Sequence, residues 1–261
     1  MYKFWLGIRA TVFWLLFPLI TMIAALLVML LMSASLKYRI IVIKSWINLT
    51  LALLKYSCNL RYRVDGLDNI PKQGFIVMSQ HSSTWETIVL QKFFEPVVWV
   101  VKKQLTRIPF FGWGLIIMNV IALDRGSGHQ AMKQLIQESR QRMDEGRILM
   151  LFPEGTRVPP GVQKPFKTGG AIVSEKTGYA VLPVAHNAGE FWPRHSWIKW
   201  PGTIQVVIGK PIYPEGKKAE QIIDEVKQWI TTTYAQISDH RQLARLGINP
   251  DSLHKQTHRH S

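Results

Sequence analysis

The sequence predicts an α/β fold: a mixed, largely parallel sheet flanked by helices, behind an N-terminal membrane-anchoring helix or two-helix hairpin. Three observations carry that prediction. From residue 61 onward, short apolar β-branched runs alternate with segments of helical character, the pattern of a sheet covered by helices. Residues 148–152 are apolar without alternation, as a strand buried on both faces requires. Residues 11–34 carry no charge over 24 positions, enough for a helix to cross a bilayer.

The anchor comes first along the chain. Pro18 interrupts the run at 11–34, and membrane helices tolerate such a kink. The run is too long for a signal peptide, and Ser33-Ala34-Ser35 is only a passable cleavage site. Residues 40–56, broken by Lys44 and Asn48, read as an interfacial helix. Residues 1–64 hold eight basic side chains and no Asp or Glu, more than half of the net charge of +15. Because these charges flank apolar runs, they fit an anionic lipid surface and not nucleic acid. Lys3 and Arg9 precede the first segment, and Lys37 and Arg39 follow it, so the positive-inside rule does not orient a single span. A hairpin dipping into one leaflet keeps both flanks on the cytoplasmic side, which in a bacterium is the inner face of the inner membrane.

The soluble part follows in order. Strands are expected at 75–79, 97–101, 119–123, 148–152, 181–185 and 203–208, and helices at 84–94, 128–145, 169–177 and 217–237. This divides the chain into an anchor at 1–60, a catalytic domain at 61–239 and a basic, His-rich, flexible tail at 240–261. The single cysteine, Cys58, excludes an internal disulfide and a Cys-based metal site, and beside the anchor it reads as structural. The tail histidines His240, His254, His258 and His260 read as solvated, so no metal is expected. Trp192, Trp197 and Trp200 stand among Arg194, His195 and Lys199. They fit a loop at headgroup level and core packing equally well.

Two stretches carry chemistry. In Phe152-Pro-Glu-Gly-Thr-Arg157 an apolar strand stops and turns, leaving Glu154, Gly155, Thr156 and Arg157 at its carboxyl end. Ligands bind at that end of α/β sheets, and a guanidinium beside a glycine turn suits phosphate. In His81-Ser-Ser-Thr-Trp-Glu86 a strand delivers His81 to the start of a helix. Histidine is the natural proton acceptor near neutral pH, and a carboxylate on its other nitrogen would orient it. Five residues are about 500° around a helix, so the pair meets only if His81 lies in the turn before it. Ser83-Thr-Trp-Glu86 also matches a capping box. On spacing alone, capping and catalysis have equal claim on Glu86.

Together these motifs resemble those of the lysophosphatidic acid acyltransferase family, glycerophosphate-type acyltransferases with a His-(any four)-acid motif and a Phe-Pro-Glu-Gly-Thr-Arg motif. Two further blocks fit in the family's order: Phe110-Phe-Gly-Trp-Gly114 through Ile121-Ala-Leu-Asp-Arg125, and Val181-Leu-Pro-Val184. The resemblance covers roughly residues 60–215. It implies acyl transfer from a thioester, acyl-CoA or acyl carrier protein as co-substrate, to the sn-2 hydroxyl of lysophosphatidic acid, with no other cofactor. It implies His81 as general base, Glu86 as its orienting acid, and no covalent intermediate, consistent with the absence of Gly-x-Ser-x-Gly. Arg157 and Arg125 are the implied phosphate ligands, with Glu154, Gly155 and Thr156 shaping the pocket and Lys103 and Lys167 as secondary cations. Backbone N–H groups near Ser82 and Ser83 are candidates for the oxyanion hole. The family usually has Asp where this chain has Glu86, which leaves the capping reading competitive. Other lysolipid acceptors, and a non-catalytic lipid-binding protein, are the alternatives.

Overall fold

The computed structural model describes residues 1–108, 111–251 and 253, apart from the side chains of Phe111 and Arg125. Its helices are α1 (Tyr2–Leu30), α2 (Leu36–Cys58), α3 (Trp85–Val89), α4 (Phe111–Ile117), α5 (Gly128–Asp144), α6 (Gly169–Thr177), α7 (Ala188–Phe191), α8 (Ala219–Ile237) and α9 (His240–Arg245). Its strands are β1 (Leu60–Asp65), β2 (Ile76–Ser79), β3 (Val97–Lys102), β4 (Ile121–Leu123), β5 (Ile148–Leu151), β6 (Val181–His186) and β7 (Gly202–Ile208). They form one sheet in the order β1-β7-β6-β2-β5-β3-β4. Every neighbouring pair is parallel except β6 and β7, so the expected mixed, largely parallel sheet is present.

Successive strand residues face opposite sides, and the core divides accordingly. Phe75 and Val77 join a cluster with Trp85, Phe191 and the anchor residues Phe13, Ile47 and Leu54. Ile76 and Met78 join Leu135 of α5, Val173 of α6 and Val226 of α8. The anchor therefore covers one face of the sheet, and α5, α6 and α8 cover the other.

The first helix begins at Tyr2, not at 11, and runs 29 residues, about 43 Å. Arg9 is accommodated because its Nε donates to the carbonyl of Ser57 near the end of α2. Trp46 Nε1 donates to Thr21 Oγ1. Pairs 9–57 and 21–46 make α1 and α2 an antiparallel hairpin. It is tied to the domain near its tip, where Arg39 donates to the Ile117 carbonyl, and midway, where Lys44 meets Glu95 at 2.8 Å. Leu15, Leu19, Met22, Ile23, Leu26 and Leu30 stay exposed, and both helices are long and apolar enough to cross a membrane.

The tryptophans near 197 divide between the two readings. Trp192 is buried against Phe13, Trp14 and Phe17 of α1, whereas Trp197 is exposed beside Trp14. Buried Lys199, its pKa pushed down to about 7 by burial, places Nζ 3.8 Å from the Trp14 ring centre and 4.8 Å from that of Trp192, linking α1 to the domain. Cys58 is buried beneath the hairpin.

Three expectations need correction. The sequence pattern misses β1, because Arg61 and Arg63 break its apolar run. As an edge strand paired only with β7, it turns those side chains outward, where charge is tolerated. The helix expected at 84–94 is shorter, closing in a 3₁₀ turn at Leu90–Lys92. The tail is ordered at its start: Asp239 caps α9 by accepting from the N–H groups of Arg241 and Gln242, and Leu243 is buried. His254, His258 and His260 lie outside the described residues.

Candidate active site

β2 and β5 are parallel neighbours, with Met78 opposite Leu151. The loops that leave these two strands therefore emerge side by side at the carboxyl edge of the sheet. After β2 come Gln80 and His81; after β5 come Phe152, Pro153 and Glu154. The imidazole of His81 stacks on the Phe152 ring at 4.1 Å between centres and 10° between planes, and Phe152 in turn stacks on Trp99 of β3 at 5.6 Å. The chain then turns: Gly155 has φ 69° and donates to the Phe152 carbonyl. The returning strap donates from Val158 N–H to the His81 carbonyl at 2.7 Å. Glu154 Oε1 accepts the His81 backbone N–H at 3.3 Å. The second motif is thus the bed on which the first one lies.

His81 sits in the turn before α3, where it reaches Glu86: Nδ1 and Glu86 Oε1 are 2.8 Å apart. The same Oε1 accepts the backbone N–H groups of Ser82 at 2.9 Å and Ser83 at 2.8 Å. Capping and orienting are therefore done by one oxygen at once. Glu86 is fully buried, which pushes its carboxyl upward. The hydrogen bond from His81 and the backbone donor outweigh burial and hold it below the usual carboxylate range. An ionised carboxylate accepts only, so the hydrogen lies on Nδ1 of His81 and the lone pair on Nε2.

Glu154 has the opposite character. It is also buried, but burial prevails over its few donors, and the Glu86 charge adds to it, so its carboxyl is pushed up to about 8. It carries a proton at neutral pH, and its Oε2 is buried without a partner.

The cations expected from the sequence follow the carboxyl ends of three strands. Arg157 comes after β5, Lys103 after β3, and Arg125 after β4. β5, β3 and β4 are successive neighbours in the sheet, and Val158, the residue after Arg157, donates to the His81 carbonyl. Arg157 is half-buried and its Nε has no partner. Thr156, Lys103 and Lys167 are exposed, and the Arg125 side chain is outside the described residues, as is Phe110 of the third block.

A cavity opens beside His81. It is lined by His81, Gln80, Ser82 and Glu154, by the strap at 158–166 and by α8. None of Arg157, Arg125, Lys103 or Lys167 lines it. Ser82 and Ser83 cannot supply backbone oxyanion donors as expected, because both N–H groups are committed to Glu86. Sequence reasoning also misses Gln80 and His186. They are cross-linked: Gln80 Nε2 donates to the His186 carbonyl, and His186 Nε2 meets the Gln80 carbonyl at 2.9 Å. Burial lowers the His186 pKa, so that ring is neutral and serves to hold the turn before His81. Only its place at the end of β6 could have flagged it.

The chain resembles known proteins over most of its length. A family profile described as Acyltransferase matches residues 61–187. A 1-acyl-sn-glycerol-3-phosphate acyltransferase of Pseudomonas aeruginosa is 41% identical over 209 residues, 79% of this chain and 81% of that protein. A protein of the same name from Saccharomyces cerevisiae is 28% identical over 67% of this chain and 61% of its own length. The crystal structure of the 1-acyl-sn-glycerophosphate acyltransferase of Thermotoga maritima superimposes with a TM-score of 0.73 at 24% identity, covering 89% of this chain and 97% of that one, a likeness of fold. The chain belongs to the acyltransferase family and is an acyltransferase.

Proposed function

We propose that this acyltransferase transfers an acyl chain from a thioester, on CoA or acyl carrier protein, to the sn-2 hydroxyl of lysophosphatidic acid, giving phosphatidic acid. The observation that carries the reading is the His81–Glu86 contact of 2.8 Å at the carboxyl edge of the sheet, with the basic nitrogen of His81 left for substrate. The names of the relatives support the choice of acceptor.

The step balances without any group beyond the two substrates. The acceptor hydroxyl gives its proton to His81 Nε2 while its oxygen attacks the thioester carbonyl. The new C–O bond forms, the tetrahedral oxyanion collapses, the C–S bond breaks, and the departing sulfur takes the proton from Nε2. Buried, ionised Glu86 stabilises the imidazolium between these events. Arg157, with Arg125 and Lys103, holds the acceptor's phosphate, with Gly155 and Thr156 shaping the turn and Lys167 as a secondary cation.

The hairpin is the membrane element of this reading. Tied to the domain near its tip and midway, it lies along the domain and buries its apolar side in one leaflet. Both basic flanks then stay on the cytoplasmic side with the catalytic domain.

The test is product analysis by mass spectrometry with defined lysolipids and thioesters. Phosphatidic acid forms from lysophosphatidic acid, and His81→Ala lowers the rate by roughly 10²–10⁴-fold while the protein stays folded and membrane-bound. Full activity in His81→Ala would overturn the mechanism; no product from lysophosphatidic acid would overturn the substrate.

A further inference from the structure

The cavity beside His81 is unaccounted for by the acceptor. Its walls are the strap and α8, and none of Arg157, Lys103 or Lys167 lines it. α8 packs on the face of the sheet opposite the anchor, as its Val226 and Ile230 show.

The lining has a specific chemistry. Gln80 commits its amide N–H to the His186 carbonyl, so its Oε1, buried and without a partner, can only accept. That atom asks for an N–H donor close to His81. Phe166 and Ile230 give an apolar stretch, and Lys164 and Lys227 add two cations. Neither lysine is ion-paired among the described residues. The one acid in the described lining, Glu154, is neutral at pH 7, so it does not neutralise them. An amide next to the reacting carbonyl, an apolar arm and a phosphate at its end are the successive parts of a phosphopantetheine thioester.

We infer that this cavity receives the phosphopantetheine arm shared by CoA and acyl carrier protein, with Gln80 accepting an amide N–H and Lys164 and Lys227 holding the phosphate. The inference rests on the reading of the chain as a thioester-dependent transferase and adds where the donor binds. The two substrates then use different cations, the lipid Arg157, Lys103 and Arg125 and the donor Lys164 and Lys227.

The experiment compares two soluble donors, an acyl-phosphopantetheine and the corresponding acyl-pantetheine, with the full-length protein and saturating lysophosphatidic acid. A Lys164→Ala/Lys227→Ala variant should raise KM for the phosphorylated donor about tenfold, the loss of a charge-assisted contact. Its KM for acyl-pantetheine and for lysophosphatidic acid should not move. Gln80→Met should raise KM for both donors alike. A rise in the lysophosphatidic acid KM, or unchanged donor KM values in an active enzyme, overturns the donor assignment alone. A wild-type protein inactive with every thioester takes the proposed function down with it. Melting curves of the variants confirm that the lysine changes, both near the surface, leave the fold intact.

Discussion

The loops after β2 and β5 each bring a buried glutamate against His81, and the two glutamates differ in charge. Glu86 Oε1 collects three donors, the Nδ1–H of His81 and two backbone N–H groups. Glu154 Oε1 takes one long bond from the His81 backbone, and its Oε2 takes none. Burial raises a carboxyl pKa in both places; donors reverse it in one. The β2 loop thus presents a fixed negative charge to the imidazole, and the β5 loop presents a neutral carboxyl next to it. In the proposed mechanism, a second full charge there would compete for the imidazolium and weaken its return of the proton to sulfur.

The largest expected effect comes from removing the charge in the β2 loop while leaving its shape. In Glu86→Gln the side-chain carbonyl can still accept from Ser82 and Ser83, so the cap survives and the melting temperature changes little. The acyl-transfer rate falls by roughly 10²–10⁴-fold, because the imidazolium loses its partner and Nδ1–H its anionic acceptor. Glu86→Asp keeps the charge and should recover part of the rate. A Glu86→Gln enzyme with full activity would reduce Glu86 to a cap and erase the contrast between the two loops.

Much of this contrast was hidden in the sequence for a definite reason. The strands of the sheet were legible where apolar runs are unbroken, as at 148–152, and failed where an edge strand carries Arg61 and Arg63. His81 at a strand end was legible from the pattern before it. That Phe152 stacks on His81, or that Glu154 takes its N–H, depends on β2 and β5 being neighbours, and strand order is a tertiary fact. The same holds for Lys164, Lys227 and Gln80, which share no spacing and meet only across the strap and α8. The tie between capping and catalysis for Glu86 also could not be broken by spacing, since one oxygen does both.

The next effect probes the β5 loop through pH. Glu154 has a folded pKa of about 8 against an ordinary value of 4.5. Between those values the folded state keeps a proton that the unfolded chain gives up. Stability therefore falls as pH rises from about 4.5 to about 8, and the penalty is complete above that. Glu154→Gln is neutral throughout and lacks this slope. Its melting temperature relative to wild type should rise by roughly 10 °C between pH 5 and pH 8. Glu190, also pushed up to about 8 by burial, is present in both proteins and cancels in the difference. Parallel curves would mean that Glu154 is already ionised at neutral pH, and the two loops would then be alike.

The smallest effect separates backbone from side chain within the β2 loop. The Ser83 hydroxyl donates to the Trp192 carbonyl at 2.7 Å and accepts the Trp85 N–H at 3.1 Å, tying the loop to the aromatic packing beneath the anchor. The bond to Glu86 uses the Ser83 backbone instead. Ser83→Ala should therefore cost about 1–3 kcal/mol of stability, because two buried polar groups are left unpaired. The rate at a temperature well below melting should change by no more than a few-fold. A loss as deep as that of Glu86→Gln would show that Glu86 is placed by the tie to the anchor, through Trp192, and not by the local backbone. In that case the charge in the β2 loop depends on the α1–α2 hairpin being docked, while the neutral carboxyl of the β5 loop does not.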